Sequence, residues 1–289
     1  MNERVTVPAY AKLNVFLRVL GRRDDGYHDV ETVLLPVDLV DTVAVEPAAD
    51  LELEVDGPHA SVITAPIDAN LACVAARTLA QRAGIQPRAL IRIAKHIPVA
   101  AGLGGGSADA AATLRGLNEL WGCGLDQTQL AEVAAAVGED VPGLLAGGAV
   151  FADGRGSHVT PVHAATTWWV VKPFGFPVRT AEAYSWWDDE PTSGPDPGVL
   201  IAALEAGNVA LLGPSLFNDL QQPVARRHAP VTEAIDALLE AGAVGAVMTG
   251  SGPTVVALAR HLGHAASIAE AVPGSFLVSG PVPEPQRAR

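Results

Sequence analysis

The stretch that carries most information about the fold reads Pro98-Val99-Ala100-Ala101-Gly102-Leu103-Gly104-Gly105-Gly106-Ser107-Ala108-Asp109-Ala110-Ala111-Ala112. The residues before it, 89–94, are mostly apolar and partly β-branched, which predicts a strand. The residues after it, 107–121, are rich in alanine and carry leucine at every third position, which predicts a helix. Four glycines in five positions connect the two elements, and glycine adopts backbone angles that other residues avoid.

A glycine-rich turn of this kind can direct several backbone N–H groups toward one point, and the helix that follows adds the positive end of its dipole. An anion such as a polyphosphate is the ligand that this arrangement favours. The stretch lacks the Gly-Lys-Ser/Thr of a Walker loop, and Ser107 stands where a dinucleotide-binding turn has its last glycine. An ordinary strand-to-helix connection without a ligand is the alternative.

Residues 98–112 resemble the phosphate loop of the GHMP kinases, whose pattern is roughly P-x-x-x-G-L-G-[SG]-S-[SA]-A. Further matches between residues 9 and 257 resemble one branch of that family, which acts on a polyol linked to cytidine diphosphate in the non-mevalonate isoprenoid pathway. The resemblance implies an α+β fold of two lobes, with mixed and antiparallel sheets and the active site in the cleft between the lobes. It implies ATP and Mg²⁺ as cofactors.

The alternation of strands and helices also favours a two-lobed α+β architecture, and 289 residues suffice for two lobes. A Gly-Arg-Gly-Ser loop predicts the division, with an N-terminal lobe of residues 1–154 and a C-terminal lobe of residues 155–289. The proline-rich residues 281–289 are expected to be disordered.

The formal net charge of −13 argues against a nucleic-acid-binding surface, which needs a basic stripe. A phosphate ligand must therefore be held by local N–H groups, by a metal ion and by a few placed cations. The sequence has no apolar run of membrane-spanning length and no signal-peptide pattern, so we expect a cytoplasmic protein without membrane contact. The oligomeric state is left open.

Two polar residues lie on one face of the strand predicted over residues 13–20. Alternation places Leu13 and Val15 on one face and Lys12 and Asn14 on the other. On the pattern alone, the simplest interpretation is a solvated strand face. Residues 9–14 are similar to the family's Pro-Ala-Lys-Leu-Asn opening, which implies a catalytic role for Lys12 and contact of Asn14 with the substrate.

The segment Gly138-Glu139-Asp140-Val141-Pro142 carries two acidic residues that could simply cap a short helix. It also matches the family's G-x-D-V-P element. The match implies that Asp140 is the catalytic carboxylate and contacts the substrate hydroxyl.

The turn Asp25-Gly26-Tyr27-His28 would ordinarily be a hairpin connection. In the cytidine-specific branch this sequence helps to form the cytidine pocket, and its chemistry suits a pyrimidine. Tyr27 offers a stacking face, and His28 offers ring nitrogens. Thr180 reads as a helix N-cap, and the resemblance implies that it lies near the polyol.

The resemblance also implies a set of nucleotide-binding residues. Asn70 could equally cap a helix over 70–82, and Lys95 could be a surface cation. Gly250 and Ser251 belong to a glycine-rich turn that could be a plain hairpin bend. Ser107 is in addition a candidate Mg²⁺ ligand. The full set is Asn70, Lys95, Pro98, Ala100, Gly102, Leu103, Gly104, Gly105, Gly106, Ser107, Gly250 and Ser251.

Three other functions stay open. A kinase for mevalonate-type or homoserine-type alcohols would keep the glycine loop without the Asp-Gly-Tyr-His turn. A nucleotide-binding protein without catalysis is disfavoured because Lys12 and Asp140 are both present. A dinucleotide-dependent oxidoreductase is disfavoured by the glycine spacing.

Overall fold

The structure is a computed structural model that describes residues 4–62 and 66–282. The strands are Val5–Arg22 (β1), His28–Glu46 (β2), Leu51–Asp56 (β3), Ala89–Ala94 (β4), Ala149–Gly154 (β5), His158–Val162 (β6), Thr167–Lys172 (β7), Phe217–Asn218 (β8), Gly245–Met248 (β9), Val255–Ala259 (β10) and Phe276–Gly280 (β11). The helices are Leu71–Ala83 (α1), Gly105–Leu120 (α2), Gln127–Val137 (α3), Val141–Ala146 (α4), Thr180–Asp189 (α5), Gly198–Glu205 (α6), Val209–Ser215 (α7), Gln221–Arg227 (α8), Ala229–Glu240 (α9) and Leu262–Ala271 (α10).

The strands of the described residues form two sheets. A seven-stranded mixed sheet runs β3-β4-β2-β1-β8, with β5 paired to β2 and β6 paired to β5. A four-stranded antiparallel sheet runs β11-β7-β10-β9. The predicted α+β class with mixed and antiparallel sheets is confirmed.

The first strand is longer than the sequence predicts. The sequence pattern predicts two strands, residues 5–7 and 13–20, joined through residues 8–12, but β1 is continuous and pairs with β2 throughout. Its register against β2 shifts between Tyr10 and Lys12 and again between Asn14 and Phe16. Such irregularities often re-aim side chains next to active sites. The two shifts flank the Lys12–Asn14 pair.

Helix α2 begins two residues earlier than predicted, at Gly105 instead of Ser107. A Cβ added at Gly105 would lie 3.0 Å from both the Ile97 side chain and Lys95 Nζ, so the first turn packs where a larger residue would crowd its neighbours. Gly104 precedes the helix with a φ of +69°, a left-handed value that glycine adopts without strain. Alanines on the buried face of α2 then pack against the larger sheet.

The chain passes from the first sheet to the second between Val162 and Thr167, because β6 still pairs with β5. Strand β8 then returns to the first sheet and pairs in parallel with β1 through Phe217 and Asn218. The division into lobes at residue 154 stays a proposal. Of the proline-rich end expected to be disordered, residues 283–289 lie outside the described part of the chain. No helix in the described ranges has the length and apolar character needed to cross a membrane.

Candidate active site

A cavity of about 770 Å³ opens between the two sheets, and its walls come from both halves of the chain. Residues near positions 12, 102 and 140 line one side, and residues 177–180 and 250–252 line the other. It brings together many of the side chains and loop positions singled out from the sequence. These are Lys12, Asn14, Tyr27, Ala100, Gly102, Gly104, Ser107, Asp140, Thr180, Gly250 and Ser251.

Lys12 is buried on the wall of this cavity and is only 3% exposed, so the solvated-face interpretation is wrong. Its ammonium donates a hydrogen bond to Oδ1 of Asn14 and another, of 2.9 Å, to the carbonyl oxygen of Gly102. The same nitrogen lies 3.4 Å from Oδ2 of Asp140. These contacts fix a positive charge at one point of the cavity wall.

Asp140 sits at the N-cap position of α4 but makes no side-chain capping hydrogen bond. Its carboxylate, with about a third of the side chain exposed, instead faces Lys12 and the cavity. Asp140 therefore occupies the capping position of α4, but its side chain does not cap the helix. Burial raises the pKa of the nearby Tyr184 hydroxyl, and the carboxylates of Glu139 and Asp140 add to the rise.

The glycine loop lies directly against Lys12. The Lys12 N–H donates to the carbonyl oxygen of Leu103 at 3.0 Å, which ties the loop to β1. Gly102 has a φ of +75°, and a Cβ added there would lie 2.6 Å from the carbonyl oxygen of Thr249. Ala100 also adopts a left-handed φ of +55°, which is strained for a residue with a side chain. These left-handed backbone angles allow the glycine loop to pack closely against the backbone at Thr249.

The turn at Gly250 closes onto the same point from the second sheet. A Cβ added at Gly250 would lie 3.1 Å from Lys12 Nζ, from Asn14 Oδ1 and from the carbonyl oxygen of Gly102. Asn218 fixes this turn by donating to the carbonyl oxygens of Met248 at 2.6 Å and Gly250 at 2.8 Å. The turn does more than reverse the chain, because it packs against both Lys12 and the glycine loop.

A smaller cavity of about 510 Å³ adjoins the first and shares Tyr27, Thr180 and Tyr184 with it. His28 lines only the smaller one and stacks on Tyr184 with ring centroids 4.7 Å apart. Its Nε2 lies 2.7 Å from Oδ1 of Asp188. Tyr27 is half-exposed, so a face of its ring remains accessible. The smaller cavity therefore combines aromatic surfaces with one oriented imidazole.

Residues 70–153 match the GHMP kinases N terminal domain, and residues 200–278 match the GHMP kinases C terminal domain. The chain belongs to the GHMP kinase family. The 4-diphosphocytidyl-2-C-methyl-D-erythritol kinase of Symbiobacterium thermophilum is 42% identical over 253 residues, which cover 86% of this chain and 89% of that protein.

Two solved structures place the fold of this GHMP kinase. A crystal structure of 4-(cytidine 5'-diphospho)-2C-methyl-D-erythritol kinase is 33% identical, with a TM-score of 0.79, and covers 95% of this chain and 98% of its own. Homoserine kinase from Cytophaga hutchinsonii has a TM-score of 0.78 at 20% identity, over 99% of this chain and 98% of its own. The second likeness shows the shared fold alone. The expected GHMP kinase fold with mixed and antiparallel sheets is confirmed.

Several residues expected to bind the nucleotide in this GHMP kinase do not line the cavity. Asn70 caps α1, because its Oδ1 accepts a hydrogen bond of 2.9 Å from the N–H of Ala72. The other positions lie in or beneath the glycine loop, and their contact with ATP stays a prediction. They are Lys95, Pro98, Leu103, Gly105 and Gly106.

Lys95 is buried beneath the start of α2 in an ion cluster that the sequence did not predict. Its ammonium lies 2.5 Å from Oδ2 of Asp41 and 2.6 Å from Oδ2 of Asp109. Asp41 also accepts hydrogen bonds from the backbone N–H groups of His96 and Ile97, whereas Oδ1 of Asp109 has no partner. Burial, together with the nearby Asp41 carboxylate, outweighs the Lys95 ammonium and raises the pKa of Asp109 to about 7. The surface-cation interpretation of Lys95 is wrong.

Thr180 is the first residue of α5, and the N-cap position belongs to Arg179, so the capping interpretation of Thr180 is wrong. The Thr180 hydroxyl instead lies 3.1 Å from the Ser251 hydroxyl. Tyr184 and Asp188 were not singled out from the sequence, although their signal is present. Both follow Thr180 at four-residue intervals on α5, which places the three side chains on one face of that helix.

The described residues contain no cluster of three or more metal-ligating side chains. Mg²⁺ in many phosphoryl-transfer sites keeps waters and uses only one or two protein ligands beside the phosphates, so a site of that kind does not need such a cluster. Ser107 lies in the first turn of α2 and lines the cavity, so its hydroxyl is within the region where phosphates are expected. The residues present fit a phosphate-bound Mg²⁺.

Proposed function

We propose that this protein is an ATP-dependent kinase that phosphorylates 4-diphosphocytidyl-2-C-methyl-D-erythritol and releases the 2-phosphate and ADP. The activity belongs to the non-mevalonate route to isoprenoid precursors. The observation that carries the proposal is the placement of Lys12 and Asp140, 3.4 Å apart, between the glycine loop and the cavity of His28 and Tyr184. One side of the pair suits a triphosphate, and the other suits a nucleoside.

The triphosphate of ATP binds at the glycine loop. The first N–H groups of α2, from Gly105 to Ser107, lack acceptors within the helix, and the helix dipole adds positive potential. Together with the loop from Gly102 they bind the β- and γ-phosphates. Ser107 would hold Mg²⁺, which would supply neutralisation of phosphate charge.

Phosphoryl transfer depends mainly on positioning and charge stabilisation. Asp140 accepts a hydrogen bond from the substrate hydroxyl and takes its proton as the oxygen bonds to the γ-phosphorus. The bond from that phosphorus to the β–γ bridging oxygen breaks, and ADP leaves. Lys12 donates to the transferring group and stabilises its developing negative charge, with Asn14 orienting the ammonium.

The cytidine end of the substrate occupies the smaller cavity. Tyr27 and Tyr184 supply aromatic faces, and the imidazole of His28, oriented by Asp188, supplies a hydrogen-bonding group. Thr180 lies between this cavity and the Gly250 turn, where it contacts the polyol. A pyrimidine nucleoside therefore has a site separate from that of ATP.

The test compares ADP release with three acceptors, namely 4-diphosphocytidyl-2-C-methyl-D-erythritol, mevalonate and homoserine. We expect release only with the first, because the simple alcohols leave the smaller cavity empty. Faster release with mevalonate or homoserine would favour a small-alcohol kinase. ATP binding without ADP release for any acceptor would favour a nucleotide-binding protein that lacks catalysis.

A further inference from the structure

Arg155 lies where the two cavities meet. It lines the larger cavity together with Lys12 and Asp140, and it lines the smaller one together with His28 and Tyr184. Of the described residues that line the two cavities, it is the sole arginine or lysine shared by both. Its sequence context, a Gly-Arg-Gly-Ser loop, does not mark it as a site residue.

The backbone around Arg155 is held in place by its neighbours. The residue lies in the short turn between β5 and β6, flanked by Gly154 and Gly156 with φ of +66° and +93°. A Cβ added at Gly156 would lie 3.4 Å from the carbonyl oxygen of Glu139, so the turn packs against the segment that carries Asp140. The backbone of Arg155 is therefore fixed close to the segment that carries Asp140.

The side chain of Arg155 is held less firmly than the backbone of its turn. Its Cζ lies 3.6 Å from the ring centroid of Tyr27, and its Nε lies 3.5 Å from Oε1 of Glu139. The Arg155 and Glu139 side chains are 39% and 43% exposed, and an ion pair of such exposure adds little to stability. The Arg155 guanidinium, a planar cation with several N–H donors, thus faces the space between the cavities. An anionic ligand can take the place of the Glu139 carboxylate as its partner.

We propose that Arg155 binds the diphosphate of the cytidine-diphosphate substrate and so sets the distance between its two ends. This inference rests on the proposed function. The hydroxyl must reach Asp140 while the base lies against Tyr184, and the diphosphate that joins them must cross the junction. Arginine is suited to this task, because its guanidinium can form two parallel hydrogen bonds to phosphate oxygens. The Tyr27 ring keeps the guanidinium oriented through the cation–π contact.

The experiment uses Arg155→Gln and Arg155→Lys, with Arg92→Gln as the matched control. Arg92 is also about two-fifths exposed and pairs with Glu46 and Glu54, but it lines neither cavity. Calorimetry measures the affinity of each variant for cytidine and for CDP, and steady-state kinetics measures KM for the substrate and for ATP.

For Arg155→Gln we expect the affinity for CDP to fall roughly 10- to 100-fold, the range for losing charged hydrogen bonds. The affinity for cytidine and the KM for ATP should change less than about two-fold, because neither involves the substrate diphosphate. Arg155→Lys should recover part of the loss, since it restores the charge without the paired donors. Arg92→Gln should match the unmodified protein.

Equal losses for CDP and cytidine, or no loss for either, would overturn the assignment of Arg155. If the unmodified protein phosphorylates 4-diphosphocytidyl-2-C-methyl-D-erythritol and Arg155→Gln leaves its KM unchanged, the assignment alone fails. If the unmodified protein releases no ADP with this substrate, the proposed function fails and the assignment fails with it.

Discussion

The ammonium of Lys12 lies 3.4 Å from the carboxylate of Asp140, and the two side chains differ sharply in exposure, at 4% and 34%. The lysine is fixed by Asn14 and by the carbonyl oxygen of Gly102, whereas the carboxylate is open to the cavity. A fixed cation beside an accessible base suits a site that stabilises charge on one group and removes a proton from another. Each partner can therefore be tested separately.

Replacement of Asp140 by asparagine should remove the base and keep the shape of the site. We expect turnover to fall by about 10²–10⁴, the usual contribution of general base catalysis, with the affinity for ATP nearly unchanged. Turnover is measured by ADP release and affinity by calorimetry. An unchanged turnover number would remove Asp140 from the chemistry.

Replacement of Lys12 by methionine should keep most of the packing of the side chain and delete its charge. We expect a fall in turnover of about 10²–10³, because a donor to the transferring phosphoryl group is lost. Arginine should not rescue activity. A Cβ added at Gly104 would lie 2.8 Å from Lys12 Cε, which shows how tightly the loop encloses the stem. Comparable turnover for Lys12→Arg and the unmodified protein would contradict this account.

Replacement of Gly102 by alanine should displace the glycine loop, because the added Cβ would meet the carbonyl oxygen of Thr249 at 2.6 Å. Gly84→Ala is the matched control, since its φ of +68° is similar and nothing lies within 4 Å of the added atom. The control should lose roughly 1–2 kcal/mol of unfolding free energy from backbone strain alone. Gly102→Ala should lose more and should lower kcat/KM for ATP by about 10²-fold. Equal stabilities and unimpaired kinetics would show that the loop tolerates the clash.

The buried Asp109 makes stability depend on pH. Its pKa is raised from 3.8 to about 7, so the folded protein binds a proton more tightly than the unfolded chain does. The contribution of Asp109 to stability is therefore fully present below about pH 4 and is lost as the pH rises to about 7. Relative to Asp109→Asn, the unmodified protein should lose roughly 2–4 kcal/mol over that interval.

Urea unfolding at several pH values measures this difference. The control is Asp236→Asn, on the exposed side of α9, which removes one carboxylate without disturbing a buried cluster. Its stability should stay at a constant offset from that of the unmodified protein. If Asp109→Asn shows the same constant offset, the cluster does not titrate in this range.

The parts of the site that could be predicted from the sequence are those carried by local patterns. The glycine loop was predicted from four glycines between a strand and a helix. Asp140 was singled out because residues 138–142 match the G-x-D-V-P element of the GHMP kinases. The sequence pattern predicted strands at residues 5–7 and 13–20 joined through residues 8–12, and Pro8, which cannot donate to a sheet, lies in that connection. In the structure β1 continues through Pro8. On the side of β1 away from β2, the described pairing with β8 involves only Phe16 and Leu17, so no strand on that side needs a backbone N–H from position 8.

The parts that could not be predicted depend on residues that meet from distant elements. Asp41, Lys95 and Asp109 come from β2, the end of β4 and α2, and none of their local patterns indicates a buried charge. Arg155 lies in a turn whose sequence reads as an ordinary connection, and only its contact with Tyr27 reveals its place in the site. Helix α2 starts at Gly105 despite the low helix propensity of glycine, at a position where an added Cβ would lie 3.0 Å from the Ile97 side chain.

Strand β8 is only two residues long, yet it interlocks the two halves of the chain. Asn218 extends the first sheet beside β1 and at the same time secures the Gly250 turn that covers Lys12. The halves therefore cannot be exchanged independently between related enzymes. A hybrid that took its second half from another kinase would place a foreign turn over its own Lys12, and we expect it to fold only where both contact surfaces of that asparagine still matched.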